Sequence, residues 1–288
     1  SQQEVFTYDN LNRLTTSSVN GVLKQRINYD GSSLLSMGNI TAKTDGGYYT
    51  YNTNKINAVA YTMDNPGTGQ STVLPTPLMA TPHNEQVITY TPFLKTASVS
   101  EGAYSVAPNL YFTYGPDYQR ILSSKWSFTT APDNIFYRDE KLFLGNYEEQ
   151  NVDEDGYGNP LTRKIHYING GNGLCAIIVF TSYDGYYSDA TYTQEQFFPY
   201  TDFLGSILTI TNKSGGVIAN QNFDAWGRYR NPDNWQQYIT TFKPDYVQAT
   251  SWLYRGYTGH EMLPEFNLIN MNGRMYDPTL GRMLSPDN

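Results

Sequence analysis

The sequence predicts an all-β protein made of short antiparallel strands joined by tight turns. Three observations carry that expectation: an abundance of tyrosine and glycine, a near-absence of helical periodicity, and a strand-turn-strand pattern that recurs along the chain. The 288 residues include 26 Tyr, 24 Gly and 15 Pro, a mixture that favours half-exposed pleated strands and frequent turns. Apolar residues at helical spacing are nearly missing. Only "PDNWQQYITTF", near 232–242, has room for a short helix.

The recurring pattern is seen in four segments. "VFTYDNLNRLTTSSVNG" holds Tyr8-Asp9, then Arg13-Leu14 and Gly21. "INYDGSSLLSMGNITAKTDGGYYTYN" holds Tyr29-Asp30, then Gly38-Asn39-Ile40 and Gly46-Gly47. "LYFTYGPDYQRILSS" holds Tyr114-Gly115, then Arg120-Ile121, and "QNFDAWGRYR" holds Phe223-Asp224, then Gly227-Arg228. In each, an alternating strand ends in an aromatic and a small or acidic residue, the chain reverses over about four residues, and a second strand leaves. The Asp accepts turn N–H groups, and Gly or Asn supplies positive φ. Hairpin turns are therefore expected at or near 9–12, 30–38, 115–119, 213–216 and 224–227. One such unit cannot bury its apolar face alone, so the units must stack into an extended antiparallel sheet.

Charge and cysteine content narrow the function classes. Charged residues make up 16% of the chain, against roughly 25% in ordinary soluble domains. A net charge of −8 without a basic stripe argues against a nucleic-acid partner, because phosphate binding needs clustered Lys and Arg. The single cysteine, Cys175, excludes an internal disulfide and a multi-cysteine zinc site. It lies in the apolar run "GLCAIIVF", which reads as a buried strand with an inert core thiol. No uninterrupted apolar run approaches the roughly 18 residues of a membrane span. Running from "SQQEVFTYDN" to "LSPDN", the chain reads as a piece of something longer, with its targeting signals elsewhere.

These segments resemble a family. Tyr-Asp followed by Gly-Asn-Ile or Arg-Leu resembles the YD repeats of RHS proteins, shared with teneurins and with the cocoon components of insecticidal toxin complexes. "HYINGGNGLCAIIVF", "YTDFLGSILTITNKSGGVIANQNFDAWGRYRNPDNW" and "RGYTGHEMLPEFNLINMNGRMYDPTLGRMLSPDN" resemble the successive closing segments that end in the RHS repeat-associated core. The phrasing "RGYTGHE…LINMNGRMYDP" is similar to that of Bacteroidetes members. The resemblance covers nearly the whole chain, weakly over about 60–110 and strongly from about 165 onward.

The resemblance implies a YD-repeat β-shell segment over 1–250 and an RHS-associated core segment over 251–288. It implies hairpins that spiral into a hollow shell, a core segment that plugs one end, and a C-terminal cargo, often a polymorphic toxin, held inside. Implied partners are that cargo, upstream repeats of the same chain and a secretion machinery. The setting is secreted or cell-surface, in a bacterium. No cofactor or metal is implied.

The resemblance also implies a candidate chemistry, a single-turnover aspartyl self-cleavage that releases the cargo. The matching positions are Arg274, Asp277 in "MYDP" and Asp287 in "SPDN". Two carboxylates sharing a proton split the roles, one activating water while the other protonates the amide. This chain departs from the family at Pro264, where an acid is common, and carries Glu265 beside it. The structural reading of the same residues is that Asp277-Pro278 and Pro286-Asp287 form turns paired with Arg274 and Arg282.

Other constellations are weaker. "VDEDGYGN" at 152–159 places Asp153, Asp155 and Asn159 in a glycine-rich loop but lacks the distal acid of a calcium loop. His83, His166 and His260 are scattered and read as packing residues. A third function class is a surface adhesin that stacks sugars on Trp126, Trp226, Trp235 and Trp252. Four rings in one open groove favour it; rings dispersed among hairpin contacts favour the shell.

Overall fold

The computed structural model describes residues 2–30, 38–54, 57–63, 86–101, 109–128, 136–152, 161–171, 173–183, 192–236 and 253–285. The fold is all-β, as expected. Its strands form three antiparallel sheets, in each of which every strand pairs with the next in sequence. The chain divides into two compact units. The first comprises residues 1–83, 223–240 and 279–281, the second 84–222, 241–278 and 282–288.

The first unit is a six-stranded meander of β1 (Glu4–Tyr8), β2 (Leu14–Val19), β3 (Val22–Tyr29), β4 (Ile40–Lys43), β5 (Gly47–Tyr51) and β6 (Val59–Met63). Its core gathers Ile27, Ile40 and Tyr49, with Leu14, Tyr29, Tyr51, Val59, Trp226 and Leu280 packed against them.

The second unit holds an eleven-stranded sheet. Its strands are β7 (Gln86–Tyr90), β8 (Thr96–Glu101), β9 (Asn109–Tyr114), β10 (Arg120–Phe128), β11 (Phe136–Leu144), β12 (Tyr147–Val152), β13 (Leu161–Gly170), β14 (Gly173–Tyr183), β15 (Thr193–Thr201), β16 (Ile207–Asn212) and β17 (Val217–Asn220). It also holds a small sheet of β18 (Glu261–Leu263), β19 (Leu268–Asn270), β20 (Met275–Asp277) and β21 (Arg282–Met283). Register sets one buried face across the large sheet. Phe112 pairs with Ser123, Ser123 with Lys141, Lys141 with Gln150 and Gln150 with Arg163, and all five are buried. Apolar clusters flank this polar belt. Ile165, Tyr167, Ile177, Val179, Phe197 and Ile210 lie on one side of it. On the other, Val99, Leu110 and Phe112 pack with Leu263, Phe266, Leu268 and Met275 of the C-terminal segment.

One turn is used repeatedly, and it explains the aromatic-acid pattern. Among the described residues it occurs at 9–13, 91–95, 115–119, 202–206, 212–216, 224–228 and 256–260. The first N–H donates to the fifth carbonyl and the fourth N–H to the first carbonyl, at 2.8–3.1 Å. The fourth residue has positive φ in every copy, from 58° at Asn12 to 92° at Gly227. This is a three-residue hairpin loop closed by a left-handed bulge residue. Where the first residue is Asp9, Asp202, Asn212 or Asp224, its Oδ1 accepts the N–H groups of the third and fifth residues. The acid is thus an internal strut of the turn.

The expected turns at 9–12, 115–119, 213–216 and 224–227 are all present. The turn expected at 30–38 is bracketed by a bond from Asp30 N–H to Asn39 O, while 31–37 lie outside the described residues. Residues 231–236 do not take up the short helix for which the sequence had room: Trp235 takes positive φ and donates its N–H to Asn231 O. Residues 237–242 lie outside the described part.

Cys175 is exposed, contrary to the expected buried thiol. The reason is register. Strand β14 pairs with β15 only over Ile177–Thr181, so its first residues project with the end of β13 as a two-stranded ribbon. The thiol donates there to Ile168 O at 3.2 Å.

Candidate functional site

The functional candidates converge on residues 253–285, and each unit holds a part of that segment in its own way. In the second unit the segment begins with a copy of the repeated turn at 256–260, then runs through the four very short strands of the small sheet. Strands of two or three residues contribute little pairing alone, so the sheet depends on what it packs against. Phe266, Leu268 and Met275 supply the apolar contact. Gln86 Nε2 donates to Phe266 O at 2.6 Å, and Tyr90 OH to Leu284 O at 2.6 Å.

Glu261 anchors the segment electrostatically. Its Oε2 meets Arg120 Nη1 at 2.5 Å and its Oε1 meets Lys141 Nζ at 3.1 Å, all three side chains being buried or nearly so. The Tyr254 ring covers the Lys141 ammonium at 3.1 Å. Burial alone would raise the Glu261 pKa, but the Arg120 and Lys141 charges outweigh it and hold the carboxyl below its usual range. Beside it, Tyr167 OH donates to Glu148 Oε2 at 3.1 Å while the Arg255 guanidinium lies 4.3 Å from the Tyr167 ring. A void of about 20 Å³, lined by Lys125, Lys141, Tyr254, Glu261 and Pro264 among others, has room for about one water.

In the first unit, residues 279–281 occupy a built seat. Lys43 Nζ donates to Thr279 O at 3.1 Å, and Tyr49 OH donates to Leu280 O at 2.9 Å. Lys43 is fully buried and is held by Asp45, whose other oxygen meets Arg228 Nη1 at 2.5 Å. Burial pushes the Asp45 pKa up, but Lys43 and Arg228 pull it further down, so the carboxylate stays ionised. Two glycines permit the close approach. A Cβ on Gly46 would stand 2.9 Å from Thr279 O. One on Gly281 would stand 2.8 Å from Cε3 and Cζ3 of Trp226.

The "FDAWGR" hairpin forms the wall of this seat. Asp224 Oδ1 accepts Trp226 N–H and Arg228 N–H, and Oδ2 accepts Gln25 Nε2 at 2.7 Å, which fixes the main chain of the turn that carries both wall residues. The same turn that elsewhere only reverses the chain here presents a ring and a guanidinium to Gly281 and Asp45.

The predicted catalytic residues are distributed as follows. Arg274 lies in the turn before β20, its carbonyl accepting Met271 N–H. Asp277 ends β20, opposite Arg282 of β21. The two therefore stand at opposite ends of one short strand, about 10 Å apart along the backbone. Asp287 lies outside the described residues. Glu265 is engaged by Lys125 Nζ at 2.9 Å, which also meets Asp139 at 2.8 Å. Burial would depress the Lys125 pKa, but Glu265 and Asp139 reverse this and raise it.

Sequence reasoning missed Lys43, Asp45, Tyr49 and Glu261. The pair of glycines after Asp45 and the glycine before Arg282 were the available signals. Among the described residues no group of three His, Cys, Asp or Glu is placed to hold a metal, and no helix is long and apolar enough to cross a membrane. His166 lies between the Tyr147 and Phe180 rings, at 5.0 and 5.9 Å. His83, Trp252 and the acidic loop residues Asp153, Asp155 and Asn159 lie outside the described residues. Trp126 is exposed beside Tyr111 in the second unit, whereas Trp226 and Trp235 pack within the first, the latter 5.5 Å from Arg230. Within the first unit, Trp226 and Trp235 make separate contacts, with Gly281 and Arg230.

The second unit is thus an antiparallel hairpin meander with a short C-terminal sheet docked on its buried face. No family model matches the chain, and no curated protein matches it. Solved structures do. The crystal structure of TcdB2-TccC3-Cdc42 is similar with a TM-score of 0.66 at 14% identity, over 99% of this chain and 14% of that one. That of TcdB2-TccC3-TEV is similar with a TM-score of 0.60 at 14% identity, over 99% of this chain and 12% of that one. The likeness is one of fold, and this chain spans between about an eighth and a seventh of the length of those it matches.

Proposed function

We propose that this chain is the closing region of a bacterial, secreted or surface-displayed RHS/YD-repeat shell. Its hairpins are wall, residues 1–250 being repeat and 251–288 the core segment that seals the enclosure. Its partners are upstream repeats and a C-terminal cargo of the toxin or effector type. The observation that carries this reading is the docking of the small C-terminal sheet on the meander's buried face through Phe266, Leu268, Met275 and the buried Glu261. The YD-repeat resemblance and the fold likeness to the TcdB2-TccC3 structures, one named with Cdc42 and the other with TEV, support it.

The test is protease protection in the longer protein. The polypeptide after residue 288 is expected to resist digestion in the wild type and to become susceptible when Phe266→Asp undocks the segment. Equal susceptibility in both refutes enclosure by this segment.

A second reading is self-cleavage beyond residue 288 by Asp277 and Asp287 with Arg274 in support. It is favoured by the half-buried place of Asp277 at the end of β20, opposite Arg282 and two residues before Thr279. Mass measurement of the longer protein tests it: if the chain is cut, Asp287→Asn should leave it whole, and equal cutting assigns the scission to another protease. If the chain is intact, Pro264→Asp should switch cutting on, and a chain that stays intact leaves the segment as plug alone.

A further inference from the structure

Lys125 of β10 and Asp139 of β11 stand directly opposite each other in the large sheet. Lys125 Nζ lies 2.8 Å from Asp139 Oδ2 and 2.9 Å from Glu265 Oε1. One amine is thus held between two carboxyl groups, the first brought by the neighbouring strand and the second by the C-terminal segment. The Lys125 and Asp139 side chains are largely buried, at 21% and 15% exposure, while Glu265 is more open at 40%. Leu110, Tyr254, Met262, Leu263 and Phe266 line the pocket around them. A carboxyl oxygen at 2.8 Å puts its carbon about 3–4 Å from the nitrogen, close to the separation from which a bond forms. Lys141, the other amine of this pocket, meets Glu261, a carboxylate that Arg120 also engages and keeps ionised, and therefore a poor electrophile.

We propose that Lys125 and Asp139 join in an intramolecular isopeptide bond that the protein forms by itself, with Glu265 as the general acid–base group. One proton moves from Lys125 Nζ to Asp139 Oδ2, a shift that burial makes less costly than in water because it replaces two charges by none. The free amine attacks Asp139 Cγ, and the N–C bond forms. Glu265 takes a second proton from nitrogen and passes it to the departing hydroxyl, so the Cγ–O bond breaks and water leaves. The amide nitrogen keeps the third proton, and no oxidant or reductant is needed. The void of about 20 Å³ in the same pocket has room for that water. Both carboxylates favour the protonated amine, so the bond forms slowly. Glu265 arrives with the C-terminal segment, so the bond follows docking and staples β10 to β11 beneath it. The proposal rests on the docking within the second unit and not on what the shell encloses.

The test is mass spectrometry of the full chain, with circular dichroism to confirm that each variant is folded. On prolonged incubation the wild type is expected to lose the mass of one water and to yield a branched tryptic peptide holding Lys125 and Asp139. Asp139→Ala should lose none. Asp139→Asn should form the same bond with loss of ammonia in place of water, a signature that an ion pair does not give, and it decides the matter if Asp139→Ala fails to fold. Glu265→Gln should slow the reaction about 100-fold or more, as expected for losing general acid–base catalysis. Glu140→Gln, on the opposite face of β11, should leave the rate unchanged. A wild type that stays folded and keeps its full mass, a water loss that persists in Asp139→Ala, or an unslowed Glu265→Gln overturns the proposal.

Discussion

Gly281→Ala isolates the steric demand of the seat from the conformational demand of the turn. Two costs add at this position. An L-residue at φ +63° loses about 1–2 kcal/mol relative to glycine. The added methyl also meets two carbons of the Trp226 ring at 2.8 Å, and overpacking of that kind costs about 1–3 kcal/mol. Gly21→Ala in the same unit supplies the reference. Its φ is +77°, and nothing lies within 4 Å of the place its methyl would take, so only the first cost applies. Equilibrium urea unfolding at 25 °C should therefore place Gly281→Ala about 1–3 kcal/mol below Gly21→Ala. Trp226→Phe removes the two carbons in question, so in that background the gap should narrow, as a double-mutant cycle reads directly. Equal losses at Gly281 and Gly21 would show that the Trp226 ring moves freely and is not a fixed wall of the seat.

Other outcomes follow from the same geometry. Glu261→Gln leaves Arg120 and Lys141 buried without their counter-charge and should cost about 3–5 kcal/mol in urea unfolding; a loss below about 1 kcal/mol would mean the cluster is wet. His260 is half-buried beside Arg255, and both effects hold its pKa below 6.5, offset in part by the hydrogen bond its ring donates to the Thr258 backbone carbonyl. The unfolded chain then binds the proton first, so stability should fall as pH drops below 6.5, and His260→Asn should flatten that slope. Carboxylates with lowered pKa, Asp45 and Glu261, act in a separate window, losing their contribution only as pH falls below about 4. Tyr118, Leu144, Tyr200, Phe203 and Leu204 are exposed at or beside short turns on one end of the eleven-stranded sheet, and Phe203 is 96% exposed. The isolated chain should self-associate in light scattering, and Phe203→Asp should reduce it.

The hairpin corners were legible because their chemistry is local. An acid or amide that accepts two N–H groups within its own five residues needs no distant partner, as at Asp9, Asn212 and Asp224, although the same turn at 202–206, with Asp202 and Gly205, was not expected. The turn at 91–95 escaped notice because Leu94 takes the left-handed position without glycine's freedom. Its neighbour Phe93 packs on the Tyr114 and Tyr118 rings at 5.5 and 4.7 Å, a tertiary gain that the local sequence does not display. Cys175 misled because an apolar run reports strand propensity but not how far the adjacent strand extends. Lys43 and Glu261 were out of reach for another reason. Charged residues are ordinarily solvated, and the Arg228–Asp45 and Arg120–Glu261 contacts that bury these two clusters join positions 183 and 141 residues apart.

The buried ions also bear on how the C-terminal sheet finds one register. Strand β18 pairs with β19 through three residues only, Glu261 with Asn270, Met262 with Ile269 and Leu263 with Leu268. A slip of two residues keeps every side chain on its own face, and Met, Ile and Leu are close enough in volume to accept it. Glu261 does not accept it, because any slip withdraws the carboxylate from Arg120 and Lys141 and leaves three buried charges unmatched. Replacing all three together, Arg120→Met, Lys141→Met and Glu261→Met, is therefore expected to leave stability within about 2 kcal/mol of wild type, since buried ion clusters are often neutral against apolar replacements. The same triple variant is expected to lose uniqueness instead, with doubled amide resonances and faster hydrogen exchange confined to residues 261–277. A triple variant with a single sharp set of resonances there would show that apolar packing by Phe266, Leu268 and Met275 already selects the register, and that the ions serve only to hold it.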